Sequence, residues 1–170
     1  ILNILDPADP RLEYFYEGGA TGAAYGTKGK QKETSRLAIE ATDPVYFGTA
    51  AEALFLKAEA YARLGDAANA KTSYDAAVEE SFSRCGESGA ASAYLGEGGA
   101  YSFKSGSTED MVHQIINQKW ASNVRCMPIE SWFDINRTGY PTTGILLRLS
   151  RLQHRCGGTG SKRTLTVNEI

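Results

Sequence analysis

The chain has 170 residues, a formal net charge of −2, 42% hydrophobic residues and 22% charged residues. This length and composition suit one globular domain with a hydrophobic core. The near-neutral charge gives no reason to expect nucleic acid or an anionic membrane surface as a partner. The sequence also has no apolar run of about 18 residues, the length that spans a bilayer as a helix.

The first 48 residues show little helical periodicity. Pro7 and Pro10 each follow an aspartate and mark turns. Leu12, Tyr14 and Tyr16 then alternate with polar or aromatic neighbours, which is consistent with a short extended piece or an ordered loop. We expect no long helix before residue 49.

The segment 49–84 predicts two amphipathic helices joined by a tight turn. Thr49 and Glu52 have the spacing of a capping box at the start of the first helix. Gly65 suits the left-handed position that ends it, and Asp66 can cap the second helix. Apolar residues recur at helical spacing in both halves: Ala51, Leu54, Phe55, Ala58 and Tyr61, then Ala67, Ala70, Tyr74, Ala77 and Val78. The hairpin resembles one tetratricopeptide repeat, and a single repeat must bury its apolar stripe on another part of the protein.

Residues 85–106 contain six glycines and several aromatic residues. This composition predicts an ordered loop with a short helical start. Tyr94, Tyr101 and Phe103 lie on that loop without an apolar stripe to bury them. These three residues are therefore our candidate ligand contacts, and anchoring of the loop is the alternative.

Two further helices are predicted, one capped by Ser107 and running to about Val124, the other from Ile129 to Arg137. Trp120 and Trp132 lie inside these helical segments, and both are predicted to be core residues. From residue 142 to 170 the sequence becomes basic, with five Lys or Arg residues and one acid after residue 147. We interpret this atypical tail as a loosely packed or solvated end rather than an anion site.

The sequence offers no convincing catalytic or metal site. Glu130 and Asp134 share a helical face, and paired carboxylates can hydrolyse glycosides. Their neighbours are large and apolar, however, so Asp134 is predicted to pair with Arg137 or Arg125. Cys85, Cys126 and Cys156 lack metal-type spacing; free thiols are expected, with one disulfide as the alternative. We therefore predict a protein that is not an enzyme and has no cofactor.

Four motifs together resemble the C-terminal half of the SusD/RagB-like family of outer-membrane nutrient-binding lipoproteins. They are, in chain order, DPRL at 9–12, AEALFLKAEA at 51–60, INQKW at 116–120, and ESWFD with RTGYP over 130–141. Asn136 stands where the family often has arginine. The resemblance covers residues 6–141, and the order of the motifs makes it specific.

The resemblance implies a mainly α fold, with a tetratricopeptide-like helical hairpin, further helices and long ordered loops. It implies that residues 1–170 form a single partial domain. It further implies a cell-surface lipoprotein of the outer membrane, tethered by an N-terminal lipid anchor that this chain does not include. Such a protein binds an oligosaccharide, or sometimes a peptide, and delivers it to a SusC-like TonB-dependent transporter.

Two other functions fit parts of the sequence. A tetratricopeptide-like adaptor for protein interaction would explain the hairpin alone and would require further repeats upstream. A glycosidase would explain the carboxylates at 130 and 134, but it leaves the other motifs without a role.

Overall fold

The structure is a computed structural model that describes residues 4–18, 22 and 34–142. Within these residues the fold is mainly α, as the sequence predicts. The helices are α1 (Arg11–Phe15), α2 (Ala50–Arg63), α3 (Ala67–Arg84), α4 (Ala91–Leu95), α5 (Thr108–Ser122) and α6 (Pro128–Thr138). Two short strands, β1 (Tyr16–Glu17) and β2 (Arg36–Leu37), pair antiparallel, with Tyr16 opposite Leu37.

The predicted hairpin is confirmed as α2 and α3, with the predicted residues at its ends. The Thr49 hydroxyl accepts a hydrogen bond from the Glu52 backbone N–H at 3.0 Å. Gly65 ends α2 with φ of +79°, a conformation that favours glycine. The Asp66 carboxylate caps α3 by accepting from the Asn69 backbone N–H at 3.0 Å. Local sequence therefore determines where this hairpin starts, turns and restarts.

Small residues line the contact between the two hairpin helices. Ala58 and Ala62 of α2 are fully buried, as are Ala70 and Ala77 of α3. Side chains of this size let two helix backbones approach closely. The same face of the hairpin packs against α5, whose Ile115 and other apolar residues complete the core. The apolar stripe of the hairpin is therefore covered within this chain.

Elsewhere in the described residues, some of the predicted elements match the structure and others do not. The capping box of Ser107 and Asp110 at the start of α5 is present, and Gly139 ends α6 with φ of +77°. Residues 11–15 form α1, where the sequence favours a short extended piece or an ordered loop, and only the next two residues form a strand. The last described helix begins at Pro128, one residue before the predicted start at Ile129, since proline suits the first turn of a helix.

A buried group of charged residues, here the Lys119 cluster, joins three helices. It contains three cations and three anions: Lys119, Arg63, Arg137, Glu52, Glu59 and Asp134. The Lys119 ammonium lies 2.8 Å from a carboxylate oxygen of Glu52 on α2 and 2.8 Å from one of Asp134 on α6. All three side chains are nearly inaccessible to water. The side chains of Arg63 and Arg137 are 51% and 43% exposed, so these two arginines balance the buried carboxylates from the edge of the cluster.

The pKa shifts in this cluster show that its ion pairs outweigh its burial. Burial alone would lower the pKa of Lys119, but hydrogen bonds to Asp134 and Glu52 raise it overall. Burial would likewise raise the pKa of Glu59, yet hydrogen bonds from Arg137 and Arg63 lower it. Both groups are therefore charged in the folded protein at neutral pH.

A second buried group, the Arg11 cluster, fixes the N-terminal segment to the helices. Arg11 is fully buried and binds the Asp9 carboxylate through two nitrogens, the closer at 2.7 Å. Its other donors reach Ser81 of α3 and Gln118 of α5, each at 3.0 Å. The guanidinium also lies 4.1 Å from the centre of the Phe82 ring. The segment before α1 is thereby tied to two distant helices.

Replacing the central lysine should destabilise the protein severely. We expect Lys119→Met to lower the free energy of unfolding by about 3–5 kcal/mol, because it leaves the carboxylates of Glu52 and Asp134 buried without their cation. Adding Glu52→Gln to Lys119→Met should recover part of this loss, since one uncompensated charge is removed. Urea denaturation at neutral pH measures both effects.

Lys71 supplies the matched control. It pairs with Asp75 one turn away on α3 at 2.5 Å, but its side chain is 47% exposed. Lys71→Met should therefore change stability by less than about 1 kcal/mol. Equal effects of the two lysine substitutions would show that the Lys119 cluster does not hold the helices together.

Candidate binding cleft beside Trp120

The structure places two of the three predicted ligand contacts inside the protein. Tyr101 is 6% exposed and Phe103 is 7% exposed. The Tyr101 hydroxyl donates to the Asp9 carboxylate at 2.5 Å and accepts from the Asp6 backbone N–H at 2.9 Å. Burial, together with the hydrogen bond to Asp9, raises the pKa of Tyr101. These two rings anchor the glycine-rich loop to the core, and neither has an open face.

Tyr94 of α4 is the most accessible of the three. One face of its ring stacks on Tyr101, with centroids 5.1 Å apart and planes at 18°. Its hydroxyl donates to the Ala8 backbone carbonyl at 2.6 Å. The side chain is half-buried, so the ring retains some outward surface. Ligand binding by these three residues stays a prediction, and the geometry favours Tyr94 among them.

A shallow depression, the Asp9 cleft, lies beside these residues. Its volume is about 540 Å³, and it is lined by Pro7, Ala8, Asp9, Pro10, Leu12, Glu13 and Tyr16. The Asp9 carboxylate is already engaged by Arg11 and Tyr101. The cleft therefore offers backbone and proline surface but few free polar groups.

A second depression, the Trp120 cleft, has a composition better suited to binding. Its volume is about 350 Å³. It is lined by Tyr16, Leu37, Trp120, Asn123, Val124, Arg125, Pro128 and Ser131. These residues come from the two-stranded sheet, the end of α5, the following turn and the start of α6.

Two aromatic side chains form part of the wall of the Trp120 cleft. The β1–β2 pairing sets Tyr16 opposite Leu37, so both reach the cleft from the sheet. Burial raises the pKa of Tyr16 to about 12, so its hydroxyl keeps its proton at neutral pH. Trp120, predicted to be a core residue, is only half-buried and faces the cleft. That prediction was wrong in this respect, because helical spacing does not show whether a cleft opens beside the helix.

The turn between α5 and α6 brings polar groups to the same cleft. Asn123 is 1% exposed, and neither its amide oxygen nor its amide nitrogen has a hydrogen-bond partner among the described residues. Arg125 has φ of +65°, an uncommon conformation for a residue other than glycine. Its terminal nitrogens donate to the Tyr14 carbonyl and the Asp43 carboxylate at 2.7 Å each, while Nε has no partner in the described part of the chain.

This arrangement matches the chemistry of sugar recognition. A pyranose ring has an apolar C–H face that packs on an aromatic ring, and hydroxyl groups that need hydrogen-bond partners at its edge. Trp120 and Tyr16 provide the rings, while Asn123 and Arg125 provide unpartnered polar groups. Strain at Arg125 and unpartnered buried atoms are both features that concentrate at functional sites.

Asp134, the buried carboxylate of α6, is held by two cations. One oxygen of Asp134 lies 2.8 Å from Lys119 and the other lies 2.6 Å from Arg137. The predicted Asp134–Arg137 pair is confirmed, whereas Arg125 pairs with Asp43 instead. Both oxygens of Asp134 are thus held by cations inside the framework.

The outer face of α6 is apolar and exposed. Ile129, Trp132 and Phe133 are each more than half exposed, while Ser131 and Asp134 on the opposite side are buried. The expectation that Trp132 is a core residue was wrong, because the inward face of α6 is the polar one that meets Lys119. We call this surface the α6 outer face; exposed patches of this kind commonly contact other proteins.

Cys85 and Cys126 are free thiols, while Cys156 lies outside the described residues. Burial raises the pKa of Cys85 to about 11, so this thiol stays protonated at neutral pH. No helix in the described ranges has the length and apolar character needed to cross a bilayer.

Comparison with known proteins identifies the family. A SusD-like family model, described as "Starch-binding associating with outer membrane", matches residues 1–149. No curated protein matches the chain. The family match covers most of the sequence and includes every motif described above. The chain belongs to the SusD-like family of starch-binding proteins that associate with the outer membrane.

Proposed function

We propose that this protein binds an oligosaccharide in the Trp120 cleft at the cell surface and delivers it to a SusC-like TonB-dependent transporter. The observation that carries the proposal is the pairing of aromatic walls with unpartnered polar groups in one cleft. Family membership supports the ligand class and the association with the outer membrane. The charged side chains of the Arg11 and Lys119 clusters already pair with one another. The Trp120 cleft, whose polar groups include ones without partners among the described residues, is therefore the better place for a ligand.

We propose a supporting role for the aromatic residues of the glycine-rich loop. Tyr94 would offer its remaining ring surface to a ligand that extends beyond the Trp120 cleft. Tyr101 and Phe103 would hold Tyr94 and the N-terminal segment in place from within the core. The hydrogen bond from Tyr94 to Ala8 supports this arrangement, because Ala8 lines the Asp9 cleft, which shares Tyr16 with the Trp120 cleft.

Calorimetry with a panel of oligosaccharides, including maltoheptaose as a soluble starch fragment, tests binding. We expect at least one member to bind, and Trp120→Ala to weaken that binding by about tenfold or more, on the scale of an aromatic anchor in a binding site. The loss follows from removing the ring face against which the sugar packs.

Trp132→Ala is the matched control, since Trp132 is the more exposed tryptophan but lies on the α6 outer face. It should leave sugar affinity unchanged. If no oligosaccharide binds, or if the two substitutions weaken binding equally, the assignment of the cleft is wrong.

The transporter is the proposed occupant of the α6 outer face. An exposed surface of Ile129, Trp132 and Phe133 fits the apolar centre of a protein–protein interface. We propose that the complete protein is a surface lipoprotein held by an N-terminal lipidated cysteine. Residues 1–170 would form a single partial domain, the C-terminal half of that protein. The atypical basic tail at 142–170 lies outside the described residues after Thr142, and the family match ends at 149.

Co-purification from outer membranes with the transporter encoded beside its gene tests the partner. We expect Trp132→Ser with Phe133→Ser to reduce recovery of the transporter by about tenfold, because two large apolar contacts are lost. Sugar affinity should be retained, which shows that the variant is folded. Unchanged recovery would exclude this surface as the transporter contact.

A further inference from the structure

The turn after α5 contains a concentration of buried polar atoms without partners among the described residues. They are Ser122 Oγ, both side-chain polar atoms of Asn123, Arg125 Nε, and Nε and Nη1 of Arg84. Native proteins leave few such atoms, so a group of them at one turn calls for an explanation. Arg84 belongs to this group because its Nη2 donates to the Ser122 backbone carbonyl.

These atoms include more hydrogen-bond donors than acceptors. The amide nitrogen of Asn123, Arg125 Nε and the two nitrogens of Arg84 can only donate hydrogen bonds. The amide oxygen of Asn123 is the one atom in the group that can only accept. Sugar hydroxyls both donate and accept, whereas an ionised carboxylate only accepts. When the Arg84 nitrogens are left out, two donors still stand against one acceptor, and this excess favours a ligand that carries a carboxylate.

The charges at the turn also favour a ligand that carries a carboxylate. Arg125 is paired with the Asp43 carboxylate at 2.7 Å. Arg84 forms no ion pair among the residues that the structure describes, and its guanidinium carbon lies 5.9 Å from the centre of the Tyr46 ring. Two guanidinium groups thus stand against one carboxylate beside the cleft, which leaves a positive charge that would attract an anion.

We infer that the Trp120 cleft binds an acidic glycan, one whose sugar units carry carboxylates as uronic acids do. The pyranose ring packs on Trp120 and Tyr16, and the carboxylate turns toward the amide of Asn123 and Nε of Arg125. Arg84 contributes charge from behind the turn rather than direct contact. Asn123 is 1% exposed, so part of the cleft wall moves to admit the carboxylate, and the half-buried Trp120 ring is the part that this inference assigns to that movement. This inference rests on the proposed function, since it concerns the same cleft.

A matched pair of ligands tests it: maltoheptaose, and maltoheptaose whose C6 hydroxymethyl groups have been oxidised to carboxylates. Calorimetry with the full chain should show the oxidised ligand binding about tenfold more tightly, a difference of about 1.4 kcal/mol. The preference should shrink as salt rises, because the attraction is electrostatic. In a Trp132→Phe background, the fluorescence of Trp120 should change on binding if its ring moves.

Two substitutions at Arg84 test whether its charge, rather than its hydrogen bond to Ser122, determines the preference for the oxidised ligand. Arg84→Gln should abolish the preference for the oxidised ligand while leaving binding of the neutral one, and Arg84→Lys should keep the preference. Equal or weaker binding of the oxidised ligand, with maltoheptaose still bound, overturns the acidic specificity but not sugar binding. Failure of both ligands and of the wider oligosaccharide panel overturns the proposed function itself.

Discussion

Two neighbouring side chains in the last turn of α5, Gln118 and Lys119, connect most of the described structure. Gln118 accepts a hydrogen bond from Arg11, which binds Asp9 and Ser81. Lys119 pairs with Glu52 on α2 and Asp134 on α6. The hairpin, the N-terminal segment and the last described helix thus meet at adjacent positions of one helix. Since each group is buried and charged or polar, losing one partner leaves others without compensation.

This arrangement explains what the family motifs do in this chain. Charged or polar residues of all four motifs belong to the two clusters. They are Asp9 and Arg11 of DPRL, Glu52 and Glu59 of AEALFLKAEA, Gln118 and Lys119 of INQKW, and Asp134 and Arg137 of the last motif. They form the framework. Most of the buried polar atoms without hydrogen-bond partners among the described residues lie at or beside the turn after α5, where the Trp120 cleft opens. Trp120 and Ser131, which line the cleft, also belong to these motifs, whereas Asn123 and Arg125 do not. The proposed site therefore combines motif residues with residues of the turn between α5 and α6.

The sequence predicts the parts of the fold that depend on neighbouring residues. Thr49, Gly65, Asp66 and Ser107 all have the predicted roles at helix ends, because caps and left-handed turns are decided within a few residues. Prediction from the sequence fails where contacts between distant segments determine the structure. The carboxylate of Glu52 was expected to complete a capping box, but it pairs with Lys119, 67 positions further along the chain.

The candidate site shows the same limit. Tyr101 and Phe103 are on a glycine-rich loop, and nothing local reveals that Asp9 and Tyr74 hold this loop against the core. Trp132 was assigned to the core with Trp120, although the polar face of α6 is the one that turns inward. The Trp120 cleft itself could not be predicted, because its wall combines β1, β2 and the turn after α5. The signal available in the sequence was the polar turn at Asn123–Arg125 directly after a tryptophan-containing helix.

Native-state hydrogen exchange tests most directly whether α5 holds the hairpin, the N-terminal segment and α6 together. The account predicts that the backbone amides of residues 115–122 are among the slowest in the chain and exchange only through global unfolding. Amides of α4, which lies outside both buried clusters, should exchange faster by about a hundredfold or more, as expected for local opening. If residues 115–122 exchange as quickly as α4, the two clusters do not hold the fold together.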